Sequence, residues 1–178
     1  NHYLEQVLDI YIETEDFSHY PKEQYKDLYE KTMARMKKLA GDHTGQHFTQ
    51  KSIIHLMCSY ALNELKDRKK LAIYDPACGV GSMVMEATYF FKERLPKDAV
   101  IEVYGQEYSG QIWILAKIFL EICSVKEGEQ GIKNLIAYGN TLTQPAFKDK
   151  INGDDSFDFI IANPPFGVDW KHDFEEVV

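Results

Sequence analysis

Apolar residues recur at helical spacing along the first 40 positions: Leu4, Val7, Leu8, Tyr11 and Ile12, then Tyr25, Leu28, Tyr29, Met36 and Leu39. Pro21 separates the two runs and Gly41 closes the second, which predicts a helical segment over residues 1–44. The polar stretch from Gly41 to Gly45 marks a boundary, and a second unit is expected over 45–178. Beyond it the rhythm changes. Ile53, Ile54, Met57, Ala61 and Leu65 share one side of a helix predicted over 50–68. Short apolar runs then alternate with helical ones. Strands are predicted over 71–74, 100–104, 135–138 and 157–162, and helices over 82–94 and 111–124. Continuous apolar strands alternating with helices predict an α/β fold whose parallel sheet is covered on both faces.

Composition narrows the class. With 178 residues, of which 44% are hydrophobic, the chain can bury one substantial core. No run approaches the ~18 apolar residues of a membrane span, and the N-terminus lacks a basic-then-apolar leader. Cys58, Cys78 and Cys123 form no CxxC pair, which fits a reducing cytoplasm with each thiol serving as a small buried hydrophobe. The net charge of −8 argues against a free-standing nucleic-acid binder, because phosphate neutralisation needs clustered Lys and Arg. Any such role requires a local patch or a basic partner. His43 and His47 stand four apart without an HExxH motif, and no metal site is expected. The chain does not begin with Met and reads as an excised piece.

In a parallel sheet, ligands bind beyond the carboxyl ends of the strands. The residues after each strand therefore carry the chemistry. The first strand ends in DPACGVGS, 75–82, where Gly79 and Gly81 allow a tight turn and close approach of a ligand to the backbone. A mononucleotide phosphate loop would need a Lys that is absent, and a dinucleotide fingerprint would need glycine where Val84 stands. Asp75 ahead of the turn suits an ammonium or sulfonium ligand better than a pyrophosphate. A plain strand-to-helix corner is the simpler use of the same turn. Glu107 ends the second strand, where an acidic residue accepts hydrogen bonds from ribose hydroxyls in Rossmann-like folds. Asn140, after the third strand, suits either an adenine edge or ordinary turn chemistry.

The fourth strand stops at Asn163, Pro164, Pro165 and Phe166. An exocyclic amine on an aromatic ring is a poor nucleophile because its lone pair is delocalised. Two acceptors on its two N–H bonds favour a pyramidal nitrogen. The Asn163 oxygen and the Pro164 carbonyl, stiffened by the Pro-Pro unit, supply such a pair. Phe166 would stack on a planar base, a contact worth ~1–3 kcal/mol. The alternative is a strand terminated by Pro-Pro with Phe166 in the core.

DPACGVGSM, GQEYSGQIWILA, GNTL and ANPPFG, in this order and preceded by GQHFTQ at 45–50, resemble the amino-group DNA methyltransferases that use S-adenosylmethionine. The chain is most similar to the methylation subunit of type I restriction–modification systems, which methylates adenine at N6. The resemblance covers about residues 45–170. It implies a Rossmann-like methyltransferase sheet with strand order 3-2-1-4. It also implies that Asp75, Gly79 and Gly81 line the methionine end of the cofactor and Glu107 its ribose. Asn140 would lie near the cofactor's adenine, where the family often has Asp. Gly45, Phe48 and Thr49 would close over the cofactor, and Ala77, Ser82, Thr141 and Asn163 complete the cofactor-binding set. Thr49 also sits where a helix N-cap belongs, and Gln50 stands where the family usually has Pro. Asn163, Pro164, Pro165 and Phe166 would form the target-base site.

The implied reaction is direct methyl transfer from sulfonium to nitrogen without a covalent enzyme intermediate, governed by orientation. Cys78, at the cofactor turn, is not a nucleophile. The target adenine must leave the duplex. The partners implied are DNA, a specificity subunit that reads the sequence and a restriction subunit; no membrane is involved. The chain alone is expected to bind DNA weakly. A family sheet carries about three more strands after the fourth, so the chain reads as truncated, with the fourth strand exposed and open to self-association. Two rival readings remain: a protein-glutamine or RNA amino-group methyltransferase, and a non-catalytic module that keeps the fold.

Overall fold

The computed structural model describes residues 49–127, 132–152, 156–166 and 171–177. The expected helices of residues 1–44, and the boundary after them, lie outside these. The described elements run α1 (Lys51–Leu65), β1 (Lys70–Asp75), α2 (Ser82–Lys92), β2 (Val100–Glu107), α3 (Gly110–Glu127), β3 (Ile132–Tyr138), α4 (Lys148–Asn152), β4 (Phe159–Ile160) and α5 (Lys171–Val177). The strands form one parallel sheet in the order β3-β2-β1-β4, as expected.

Alternation along β1 and β2 divides their side chains between two faces. Leu71, Ile73, Ile101 and Val103, all fully buried, face one way. They pack with Val84, Phe91, Phe119 and Leu120 from α2 and α3, and α1 adds Ile54 and Cys58 to this main core. Burying such side chains stabilises the fold by roughly 1.5–3 kcal/mol each. Ala72, Tyr74 and Tyr104 face the other way, against Phe147 and Phe157. Helical cover on both faces was expected. Among the described residues, α1 to α3 join the core of one face, and the second carries this smaller aromatic cluster, with Tyr74 and Phe157 stacked at 4.4 Å.

Side chains fasten the sheet's flanks. Trp113 Nε1 on α3 donates to the Ile136 carbonyl on β3 (3.0 Å), and Asn134 Nδ2 on β3 donates to the Leu120 carbonyl (2.9 Å). At the other side β4 spans two residues, against six expected; among the described residues it pairs with β1 alone, and Ile160 is 59% exposed. Asp158 compensates by exchanging two bonds with Ala72. Its amide donates to the Ala72 carbonyl, and its Oδ2 accepts from the Ala72 amide (2.8 Å).

Candidate functional site

Because all four strands run parallel, their carboxyl ends form one rim. Asp75 and Glu107 are the last residues of β1 and β2, and Gly139 follows β3. The register sets Ile160 opposite Tyr74, so Asn163 follows β4 on the end where the Asp75–Ser82 turn begins.

Asp75 is 1% exposed, and its Oδ1 accepts from the Ala77 amide at 2.9 Å. Burial pushes its carboxyl up to about 7, and the nearby Glu107 charge adds to that, against the Ala77 bond. Asp75 thus sits under the turn and holds its corner. Gly79 and Gly81 adopt φ of 56° and 82°, in the left-handed region that a side chain resists. A Cβ on Gly81 would stand 3.0 Å from Leu120 Cδ1, whereas a Cβ on Gly79 would have no heavy atom within 4 Å. The turn is packed from behind and bare in front. Ala77 and Ser82 are half-buried along it.

The turn is bound to the next strand. Gly79 N–H donates to Glu107 Oε2 at 3.0 Å, Ser109 N–H donates to Oε1 at 2.7 Å, and Cys78 N–H donates to the Gln106 carbonyl. Burial raises the Glu107 carboxyl, and the bonds from Ser109 and Gly79 oppose that rise. Cys78 is buried, and burial, followed by the charges of Asp75 and Glu107, pushes its thiol well up, so a thiolate nucleophile is disfavoured there. Cys58 is buried too, its thiol pushed up to about 12; both behave as the expected small hydrophobes, and the Cys123 side chain lies outside the description.

After β3, Asn140 Oδ1 accepts from the Leu142 amide (2.9 Å), so the turn chemistry weighed against an adenine contact is present. Thr141 Oγ1 donates to the Pro76 carbonyl and joins this loop to the first turn. Gln106 has no counterpart among the expected site residues. Fully buried, it donates through Nε2 to the Gln144 carbonyl (2.9 Å) and accepts through Oε1 from the Ala146 amide (3.0 Å). These bonds tie the Gln144–Ala146 segment, which follows Asn140 and Thr141, to the end of β2. The sequence clue was slight: a polar amide within an otherwise apolar strand.

Asn163 is half-buried, and its Nδ2 donates to Thr49 Oγ1 at 3.0 Å. Thr49 does not cap α1. The cap is Gln50, in extended conformation and without a side-chain bond, so Gln50 is not the first helical residue either. Pro164 and Pro165 are exposed, and Phe166 is 68% exposed, so that ring stands outside the core formed by the described residues. Helix α1 is clamped to α2 by Glu86, which binds Lys51 Nζ (2.7 Å) and His55 Nε2 (2.6 Å). The structure therefore gathers Thr49, the Asp75–Ser82 turn, Glu107, Asn140, Thr141 and Asn163 around one strand-end rim. Gly45, Phe48, His43 and His47 lie outside the described residues.

Residues 6–177 match the N-6 DNA Methylase family. The chain belongs to that family. Among its relatives, the HindI type I restriction enzyme methylase subunit of Haemophilus influenzae is 30% identical over 139 residues, covering 78% of this chain and 28% of its own length. The chain thus spans little more than a quarter of that relative. In fold it is similar to a type I restriction–modification methyltransferase subunit of Streptococcus thermophilus (TM-score 0.54, 20% identity, 76% of this chain, 27% of that one). It is also similar to a protein of Listeria monocytogenes described as a class I S-adenosylmethionine-dependent methyltransferase (TM-score 0.63, 17% identity, 92% and 46%). The sheet is accordingly the Rossmann-like sheet of methyltransferases. Among the described residues, no helix is long and apolar enough to cross a membrane.

The rim of this N-6 DNA methylase chain suits the cofactor of such a fold. Gly79 presents bare backbone with open space before it. Glu107 accepts from the backbone amides of Gly79 and Ser109, and a carboxylate offers about four acceptor sites.

Proposed function

We propose that this chain is the cofactor and target-base portion of a type I methylation subunit that methylates the N6 amino group of adenine in DNA. The observation that carries the reading is Asn163 at the end of β4, its amide held by Thr49, followed by exposed prolines and an exposed Phe166. When bound, S-adenosylmethionine supplies an electrophilic methyl group on a sulfonium centre. Gly79 and Gly81, with Ala77 and Ser82 beside them, offer backbone to its methionine end. Glu107 accepts from ribose hydroxyls, and Asn140 and Thr141 lie towards its adenine. Asp75 acts by holding the shape of the turn.

Asn163 Oδ1 and the Pro164 carbonyl accept the two N–H bonds of the extruded adenine amine. That pairing concentrates its lone pair on nitrogen and aims it at the methyl group, so orientation supplies most of the acceleration. Pro165 stiffens the clamp and Phe166 stacks on the base. The family's name supports adenine in DNA over the protein-glutamine and RNA readings. The charge of −8 supports a division of labour in which a specificity subunit brings the DNA and a restriction subunit completes the assembly. Mass spectrometry of duplex DNA and of release-factor peptides, each incubated with the complete protein and cofactor, tests this. N6-methyladenine in the duplex is expected; methylated glutamine with unmodified DNA would overturn the assignment.

A further inference from the structure

A threonine at the start of a helix ordinarily gives its side-chain oxygen to the first free backbone amides. Thr49 does not: the cap of α1 is Gln50, and the Thr49 oxygen accepts instead from Asn163 Nδ2 at 3.0 Å, across 114 positions of sequence. A carboxamide has two unlike ends. Its nitrogen only donates and its oxygen only accepts. An amine brought to Asn163 presents N–H donors, so only the oxygen end can hold it. A reversed amide would set N–H against N–H and remove one acceptor of the pair.

We propose that Thr49 is a positioning residue that anchors the Asn163 side chain at the strand-end rim, in the rotamer that brings its amide to the amine. With Nδ2 anchored on the Thr49 hydroxyl, the planar group turns Oδ1 to the opposite side. The anchor is itself seated by α1, whose first two turns are tied to α2 through Lys51, His55 and Glu86. The docking of one helix on another thereby sets the position of the amine-binding clamp. This role rests on the reading of Asn163 as the target-amine acceptor, and it differs from closing over the cofactor, the other role assigned to Thr49.

The test uses Thr49→Val, which keeps the shape and removes the oxygen, and Thr49→Ser, which keeps the oxygen. Both are made in the complete protein. Thr49→Val should lower kcat by about 10- to 100-fold, with the cofactor Kd and DNA KM within about two-fold of wild type. Thr49→Ser should restore kcat to within about three-fold. The side-chain amide resonances of Asn163, assigned by their loss in Asn163→Ala, should move in the Val variant and stay in the Ser variant. Wild-type kcat in Thr49→Val, or a kcat loss matched by equal loss of cofactor affinity, would overturn the proposal. So would unmoved Asn163 resonances. If the wild-type protein methylates something other than adenine N6, the functional reading falls, and the resonances still decide the positioning role.

Discussion

Glu107 and Gly79 are joined by a hydrogen bond of 3.0 Å that ties the end of β2 to the turn after β1. The same carboxylate also receives the Ser109 amide. One side chain thus holds both the turn and the segment that leads into α3. Glu107→Ala should lower stability by about 1–3 kcal/mol, the cost of amides losing a charged acceptor. Calorimetry should show S-adenosylmethionine affinity falling by at least ~10-fold, since shape and ribose contact are lost together. An unchanged Kd would remove Glu107 from the cofactor site.

Asp75 makes stability depend on pH. Its carboxyl rises from 3.8 to about 7 on folding, chiefly through burial. The folded state therefore keeps the proton longer than the unfolded one. The stabilisation from this group is complete below about 3.8 and is lost as pH climbs to about 7. Asp75→Asn preserves an acceptor for Ala77 and carries no charge. Its urea midpoint should exceed that of wild type by more at pH ~8 than at pH ~5. A difference that shrinks with rising pH would contradict the assignment.

Asp158 transmits stability to the proposed target-base site. It binds the Ala72 backbone in both directions and thereby holds the two-residue β4 from which Asn163 extends. Arg68, at 3.4 Å and 57% exposed, adds little. Asp158→Ala should cost about 1–2 kcal/mol. Methylation should fall further than cofactor affinity, because β4 carries the amine clamp and not the glycine turn. Equal losses in both would argue against this division.

The open side of β4 gives a solution behaviour to measure. Ile160 is 59% exposed on an edge strand, a template for pairing with another chain. Sedimentation velocity of this 178-residue chain should show association at high concentration, and Ile160→Lys should suppress it. A wild-type chain that stays monomeric throughout would contradict the expectation.

Sequence patterning disclosed that the strands run parallel because β1 and β2 are buried on both faces and read as continuous apolar runs; their order came from the family resemblance. The strand-end residues were legible for a related reason: glycines and prolines announce turns locally. Long-range polar pairing was not legible. Thr49 looked like a helix cap because nothing nearby reveals that its oxygen is taken by Asn163. Gln106 sat unnoticed in β2 because its partners, Gln144 and Ala146, arrive only when the loop folds back. The length of β4 was overestimated since an apolar run does not show that, among the described residues, its outer side lacks a partner strand. Asp75 was read as facing a ligand, and its burial under the turn appears only in three dimensions.

The central claim is that the Asn163 amide and the Pro164 carbonyl hold an amine opposite a cofactor on the Gly79 turn. Its most direct test is the single-turnover methylation rate of duplex DNA by Asn163→Ala, made in the complete protein and measured at saturating S-adenosylmethionine. The rate should fall by about 10²–10³-fold, the usual cost of removing one hydrogen-bonding group from a reacting centre. A variant that methylates adenine at the wild-type rate would contradict the claim.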